Sequence, residues 1–297
     1  MPIKELKLEL LNEIRDLDIR VRRNALSKTL AGNFTTIFKG RGIEFSGFRK
    51  YQFGDDASMI DWPASLRAKA TLVRDFEIYR NFRALIILDV GDTMLFSSTN
   101  KLKVEYAAEI AYTLAYSMLR SDNAVGFSMM GSDFKMQVPI RIGLGNLKLV
   151  RNYLVNTNNY GGHFEFENMV KSVMSYMKSS CKIFIVSDFL GMKENWWKYL
   201  QGLAFKFDVT GIMIRDVRDQ KLPEKSIQLL VEDPSSGEKL YVDTKQYAKK
   251  YEKFVEEEEK LISNFFKKSK AGFIKLNTNE DYNDKLIKFF ATYKGEA

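Results

Sequence analysis

The chain has 297 residues, 45% hydrophobic and 28% charged, with 22 Phe, 14 Tyr and 3 Trp, a composition that can bury a large core and excludes disorder over most of its length. A single cysteine, Cys181, excludes an internal disulfide framework and a cysteine-based zinc cluster; a single histidine, His163, excludes any site that needs two imidazoles. The formal net charge is +8, densest over residues 20–50, where Arg20, Arg22, Arg23, Lys28, Lys39, Arg41, Arg49 and Lys50 stand against Glu44 alone. No nucleic-acid motif accompanies this stretch, so it reads as a solvated face, with a basic-patch nucleic-acid binder kept as an alternative.

The first 23 residues are charged throughout and carry no apolar signal core. No apolar run approaches the roughly 18 to 20 residues that cross a bilayer, so the expectation is a cytoplasmic protein. A charged helix is predicted over roughly 3–28, followed by a glycine-punctuated, strand-rich stretch. From residue 84 the pattern changes. ALIILD at 84–89 reads as a buried strand, 101–121 as a largely buried helix, AVGFSMM at 124–130 as a strand. FKMQVPI at 134–140 follows through the short Gly131-Ser132-Asp133 turn, which implies an antiparallel pair. Helices over 145–157 and 166–178 precede the strand KIFIVSD at 182–188; a helix over 193–204 precedes FDVTGIMIRD at 207–216. A hairpin forms around Pro234-Ser235-Ser236-Gly237, then a long charged helix over 244–269, a strand at 272–277 and a helix at 280–293.

This alternation predicts an α/β fold, doubly wound, with a mostly parallel sheet covered on both faces. The expected division is residues 1–82 as an N-terminal helix and strand-rich subdomain packed on the core, and 83–297 as the sheet domain with a hairpin insertion at about 226–243.

Ligands of such folds sit beyond the carboxyl ends of the strands. The informative residues are therefore Asp89, Asp92 and Thr93 after the first strand, Ser187 and Asp188 at the end of the strand from 182, and the loop Asn159-Tyr160-Gly161-Gly162-His163. Two carboxylates with hydroxyls suit a hard divalent cation; taken singly, each aspartate reads as a helix cap before it reads as a ligand. Cys181, beside a buried strand, reads as core packing. Gly40-Arg41-Gly42 and Gly143-Leu144-Gly145 match no phosphate-binding pattern. In residues 40–80, Arg49, Asp55, Asp56, Asp61, Arg67 and Arg74 alternate with Phe45, Phe48, Tyr51, Phe53, Ile60 and Trp62, which suggests buried or half-buried ion pairs holding an irregular segment against the sheet.

At these residues the chain resembles the prokaryotic proteins catalogued as domain of unknown function fifty-eight, which carry a von Willebrand factor A-like domain. The signature is R-x-Y-x-x-G-D-D followed by I-D-W, met here as Arg49, Tyr51, Gly54, Asp55, Asp56, Ile60, Asp61 and Trp62. VSDF at 186–189, Leu222-Pro223, the EDPSSGEKLYVDT hairpin and the terminal LNTNEDYNDKLIKFF support it, over roughly residues 20–290. The resemblance implies a six-stranded sheet with one antiparallel edge strand and a metal-ion-dependent adhesion site, at which one divalent cation, Mg²⁺ or Mn²⁺, would be held by Asp89, Thr93 and Asp188. Gly91 stands where the first serine of the adhesion pattern belongs and His163 where a threonine does, so the site is degenerate, with Asp92 and His163 as modifiers.

The function implied is a non-enzymatic interaction module that binds partners through this degenerate adhesion site: a co-chaperone or assembly adaptor for a MoxR-type AAA+ ATPase and its client. Arg49, Asp55, Asp56, Asp61 and Trp62 are expected to be structural, with a second docking surface as their alternative role. The rival reading is a metal-dependent phosphoesterase or nuclease using Asp89, Asp92 and Asp188.

Overall fold

The computed structural model describes residues 42–79, 81–99, 101–131, 134–223, 228–232 and 237–292. The helix expected over 3–28 and residues 20–41 of the basic stretch lie outside the described residues.

The described chain opens with β1 (Gly42–Lys50), which pairs antiparallel with β2 (Leu72–Tyr79) to form a two-stranded arm. The connection holds a 3-10 turn, Ala57–Met59, and the short helix α1 (Trp62–Ala68). α1 starts where it does because Asp61 accepts from the Ala64 N–H and Pro63 stands in the first turn; it stops at Lys69, in the left-handed conformation.

The remainder runs β3 (Arg83–Asp89), α2 (Lys103–Arg120), β4 (Ala124–Met130), β5 (Phe134–Arg141), α3 (Gly145–Val155), α4 (Phe166–Tyr176), β6 (Lys182–Ser187), α5 (Trp196–Lys206), β7 (Asp208–Arg215), the single-turn α6 (Val217–Gln220), the hairpin β8 (Gln228–Glu232) and β9 (Lys239–Asp243), α7 (Thr244–Lys268), β10 (Gly272–Asn277) and α8 (Tyr282–Thr292). Six strands form one sheet in the order β10-β7-β6-β3-β4-β5. β5 alone is antiparallel to its neighbour, at one edge. This is the mostly parallel sheet that the sequence pattern predicts, with the six strands that the resemblance implies.

Alternate side chains of each strand point to opposite faces. Ile86 and Leu88 of β3 join the core that α2, α3 and α8 close with Ala107, Ile110, Leu147 and Leu286. Leu85 and Ile87 join the core that α4, α5 and α7 close with Met169, Trp196, Leu200 and Phe266. Gly211 of β7 is required by this second layer: a Cβ there would lie 2.5 Å from the Phe266 ring.

Strand order reverses between β3 and β6, which are direct neighbours although β4 and β5 intervene in the chain. Their carboxyl ends flank the switch point where doubly wound sheets place their ligands. β3 ends at Asp89 and β6 ends one residue before Asp188.

Candidate functional site

The two strand ends are joined through a hydroxyl. Ser187 Oγ donates to Asp89 Oδ2 at 2.6 Å, and the Gly91 N–H donates to Asp89 Oδ1 at 2.8 Å. The Phe189 N–H donates to Ser187 Oγ at 2.9 Å, and the Leu190 N–H to Asp188 Oδ1 at 3.0 Å. Both aspartates are 1% exposed. Burial, and next the charge of Asp188, push the Asp89 carboxyl up to about 8, against the hydrogen bonds from Ser187 and Gly91 and the charge of Lys103. At neutral pH Asp89 therefore favours its protonated form.

Asp188 is held by a cation of the chain itself. Lys103, the first residue of α2, donates from Nζ to Asp188 Oδ2 at 2.8 Å and to Asp219 Oδ2 of α6 at 2.9 Å. Burial is the largest single influence on this ammonium and opposes its charge, yet the attraction and hydrogen bonds of Asp188 and Asp219 together outweigh it and raise its pKa. Asp219 Oδ2 also accepts from the Asp216 N–H at 2.9 Å. Asp216, after β7, accepts from the Ser98 N–H at 3.0 Å, from the Ser98 hydroxyl and from Thr278 Oγ1 at 3.2 Å. The loops after β3, β6 and β7 thus form one hydrogen-bonded rim.

The third predicted loop joins this rim through its backbone. Asp92 Oδ1 accepts from the Gly162 N–H at 2.9 Å, the Asp92 N–H donates to Gly162 O at 2.8 Å, and the Gly161 N–H donates to Val90 O at 2.8 Å. Thr93 lies half-buried in the 3-10 turn Asp92–Leu95, and His163 is exposed near Glu165, whose carboxyl is lowered chiefly by its hydrogen bond from Lys193. The structure brings Asp89 and Asp188 together, with Asp92 one loop away.

A divalent ion does not fit these residues as they stand. It needs oxygen ligands free to turn inward, whereas both oxygens of Asp89 already accept, from Ser187 and the Gly91 N–H, and Asp188 is bound to an ammonium. Gly91 offers no hydroxyl, and a Cβ on it would lie 3.1 Å from Asp89 Oδ1, 3.1 Å from Gly162 O and 3.2 Å from Phe164 Cβ. Among the described residues no group of three His, Cys, Asp or Glu side chains is placed to hold a metal.

Sequence reasoning passed over Lys103, Asp216 and Asp219. A signal for Lys103 was present: a lysine in the first turn of a largely apolar helix opposes the helix dipole and calls for an acidic counterion from elsewhere.

The signature block forms the tip of the β1–β2 arm. Arg49 donates to both oxygens of Asp55, at 2.6 and 2.7 Å, and the Gln52 N–H donates to Asp55 Oδ2 at 2.8 Å. Asp56 Oδ1 accepts from the Ser58 N–H at 2.9 Å; Asp61 accepts from the Ala64 N–H at 2.9 Å and from Arg74 Nε at 3.0 Å. The four charged signature residues are structural, as expected. Their pairs are half-buried, with Arg49 and Arg74 about half in solvent and Asp55 and Asp61 mostly covered, and they join residues of the β1–β2 arm to one another. Trp62, expected to be structural, is 64% exposed, and Phe53 in the loop and Leu66 one helical turn after Trp62 are exposed as well.

The family description "Protein of unknown function DUF58" matches residues 47–261, from the arm to the last turns but one of α7. The chain belongs to the DUF58 family. Uncharacterized proteins of Mycobacterium bovis and Mycobacterium tuberculosis are 24% identical to it over 226 residues, which is 75% of this DUF58 chain and 70% of theirs. Among solved structures, BatB from Bacteroides thetaiotaomicron, a conserved hypothetical protein, is similar with a TM-score of 0.47 at 10% identity, covering 70% of this chain and 96% of that one. An aerotolerance-related membrane protein from Bacteroides fragilis has a TM-score of 0.47 at 11% identity, over 71% and 98%. No helix among the described residues of this DUF58 chain is long and apolar enough to cross a membrane.

Proposed function

We propose that this DUF58 chain is a non-catalytic protein-interaction module of the von Willebrand factor A kind. In this reading it works in the cytoplasm as co-chaperone or assembly adaptor for a MoxR-type AAA+ ATPase and its client, as the resemblance implies. The observation that carries the interaction role is the arm. Its signature charges are spent on bracing the loop, and the braced loop presents Phe53, Trp62 and Leu66 to solvent. Exposed aromatic side chains on a rigid support suit a protein surface, where Trp in particular concentrates binding energy.

The rim supports the arm's role by its own closure. Asp89 and Asp188 are enclosed and internally bonded, so partner contact through their carboxylates is disfavoured. A phosphoesterase would need Asp89, Asp92 and Asp188 to converge on shared ions; instead they are engaged by Ser187, Gly162 and Lys103 respectively.

The test is a pull-down from lysate of the source organism, with and without EDTA, using the wild type and the double variant Phe53→Ala/Trp62→Ala. The expected result is an AAA+ ATPase recovered equally with and without chelator and lost with the double variant. Recovery abolished by EDTA, recovery indifferent to the double variant, or Mn²⁺-dependent phosphoester turnover lost on Asp188→Ala would each overturn the proposal.

A further inference from the structure

We propose that Lys103 is the resident cation of the switch point: its ammonium supplies the positive charge that a divalent ion would bring to this rim, and a divalent site lies latent behind it. The inference stands on the geometry of Lys103 and is independent of the identity of any partner.

Four observations converge. The first is position. Nζ is within hydrogen-bond distance of Asp188, directly after β6, and of Asp219 on α6, while Asp188 and Asp89 border the reversal of strand order. The ammonium therefore joins α2, the β6 loop and the β7 loop from one point, as a metal joins separate loops of a coordination site. The second is enclosure. Lys103 and Asp188 are both 1% exposed and Asp219 is 9% exposed at its side chain, and the Phe96 ring lies 5.8 Å from Nζ. A buried ammonium with two carboxylates and an aromatic face has the partners such a charge requires.

The third is charge. Asp188 and Asp219 bring two carboxylates and Lys103 one ammonium, bonded to both. An added divalent ion would lie against the ammonium in a water-poor enclosure, where like charges repel most strongly. The fourth is the helix. The first turn of α2 carries the positive end of the helix dipole, so a lysine there is unfavourable on its own account; Asp188 and Asp219 are the carboxylates that hydrogen-bond and balance it. Gly91 fits the same account. With no ion to ligate, the position carries no hydroxyl, and the backbone of the β3 loop closes against Gly162 and Phe164 where a side chain would stand.

Removal of the lysine side chain should leave Asp188 and Asp219 unneutralised around a small vacated space, a donor set suited to Mn²⁺. The experiment measures free Mn²⁺ by electron paramagnetic resonance during titration of the full chain, with thermal melting in Mn²⁺ and in EDTA alongside. Wild type is expected to leave Mn²⁺ free and to melt at the same temperature in both. Lys103→Ala is expected to gain a saturable site, with affinity raised by about tenfold or more over wild type, and to lose it again in Lys103→Ala/Asp188→Asn. Lys103→Arg, which keeps the charge, is expected to gain none. Should Lys103→Ala lose its fold, Mn²⁺ is expected to restore it. Saturable Mn²⁺ binding by wild type that vanishes in Asp188→Asn would overturn the proposal. So would a folded Lys103→Ala with no gain in affinity, or an unfolded one that Mn²⁺ fails to restore.

Discussion

The rim at the switch point and the tip of the β1–β2 arm are built from the same residue types, aspartates beside cationic side chains, and they use them in opposite ways. In the rim, enclosure raises Asp89 and makes each charge depend on its partner, so that Asp188, Lys103 and Asp219 form a unit from which no member can be removed cheaply. On the arm, solvent screens the charges and the aspartates act mainly as hydrogen-bond acceptors for backbone and arginine; the Arg49 hydrogen bonds, followed by the Gln52 N–H, lower Asp55 to about 2. Burial, not composition, decides whether an aspartate is an electrostatic liability or a loop brace.

The sharpest way to break this comparison is Asp188→Ala. It leaves the buried ammonium with Asp219 as its one hydrogen-bonded carboxylate, and the expected loss is about 3–5 kcal/mol in urea denaturation; a loss below about 1 kcal/mol would show that the rim is as screened as the arm. Next is Gly91→Ser, where the new side chain meets Asp89, Gly162 and Phe164. It should cost about 1–3 kcal/mol by overpacking, and isothermal titration should find no divalent affinity gained while Lys103 is in place. On the arm, Asp61→Ala removes the cap of α1 and is expected to cost about 1 kcal/mol. Trp62→Ala, at a solvent-facing position, should shift stability by less than about 0.5 kcal/mol while weakening capture of the proposed partner.

The pH dependence separates the two regions by sign. The folded-state pKa of Asp89 lies above its ordinary value of 3.8, so its contribution is fully present below that value and is lost as pH rises through about 8. Asp55 is depressed, so its contribution is present above 3.8 and lost as pH falls through about 2. Urea midpoints across pH 5 to 9 should therefore decline, and Asp89→Asn should flatten the decline. Asp55→Asn should leave that limb unchanged and flatten the acid one. An alkaline limb that survives Asp89→Asn would remove the buried carboxyl as its source.

The sheet was legible because strands enclosed on both faces read as unbroken apolar runs, as in ALIIL of β3 and KIFIV of β6, and because the short turn after β4 admits only an antiparallel neighbour. Asp89 and Asp188 were legible as strand-terminal residues. Lys103 was legible only as a misplaced charge in the first turn of an apolar helix; its partners were not, since they are 85 and 116 residues away in the chain. Nor was the exposure of Trp62, because an aromatic residue inside a dense signature reads as core until its neighbours are placed.

The amino-acid sequence by itself determined the strand and helix alternation, the rim's two aspartates and the signature that joins the chain to its family, all of which depend on periodicity and order along the backbone. Tertiary structure alone decided which charges are enclosed and with whom, hence that a lysine stands where an ion would, and that the signature turns its aromatic side chains outward. Those are properties of distance in space and of access to water, which adjacency in the chain does not encode.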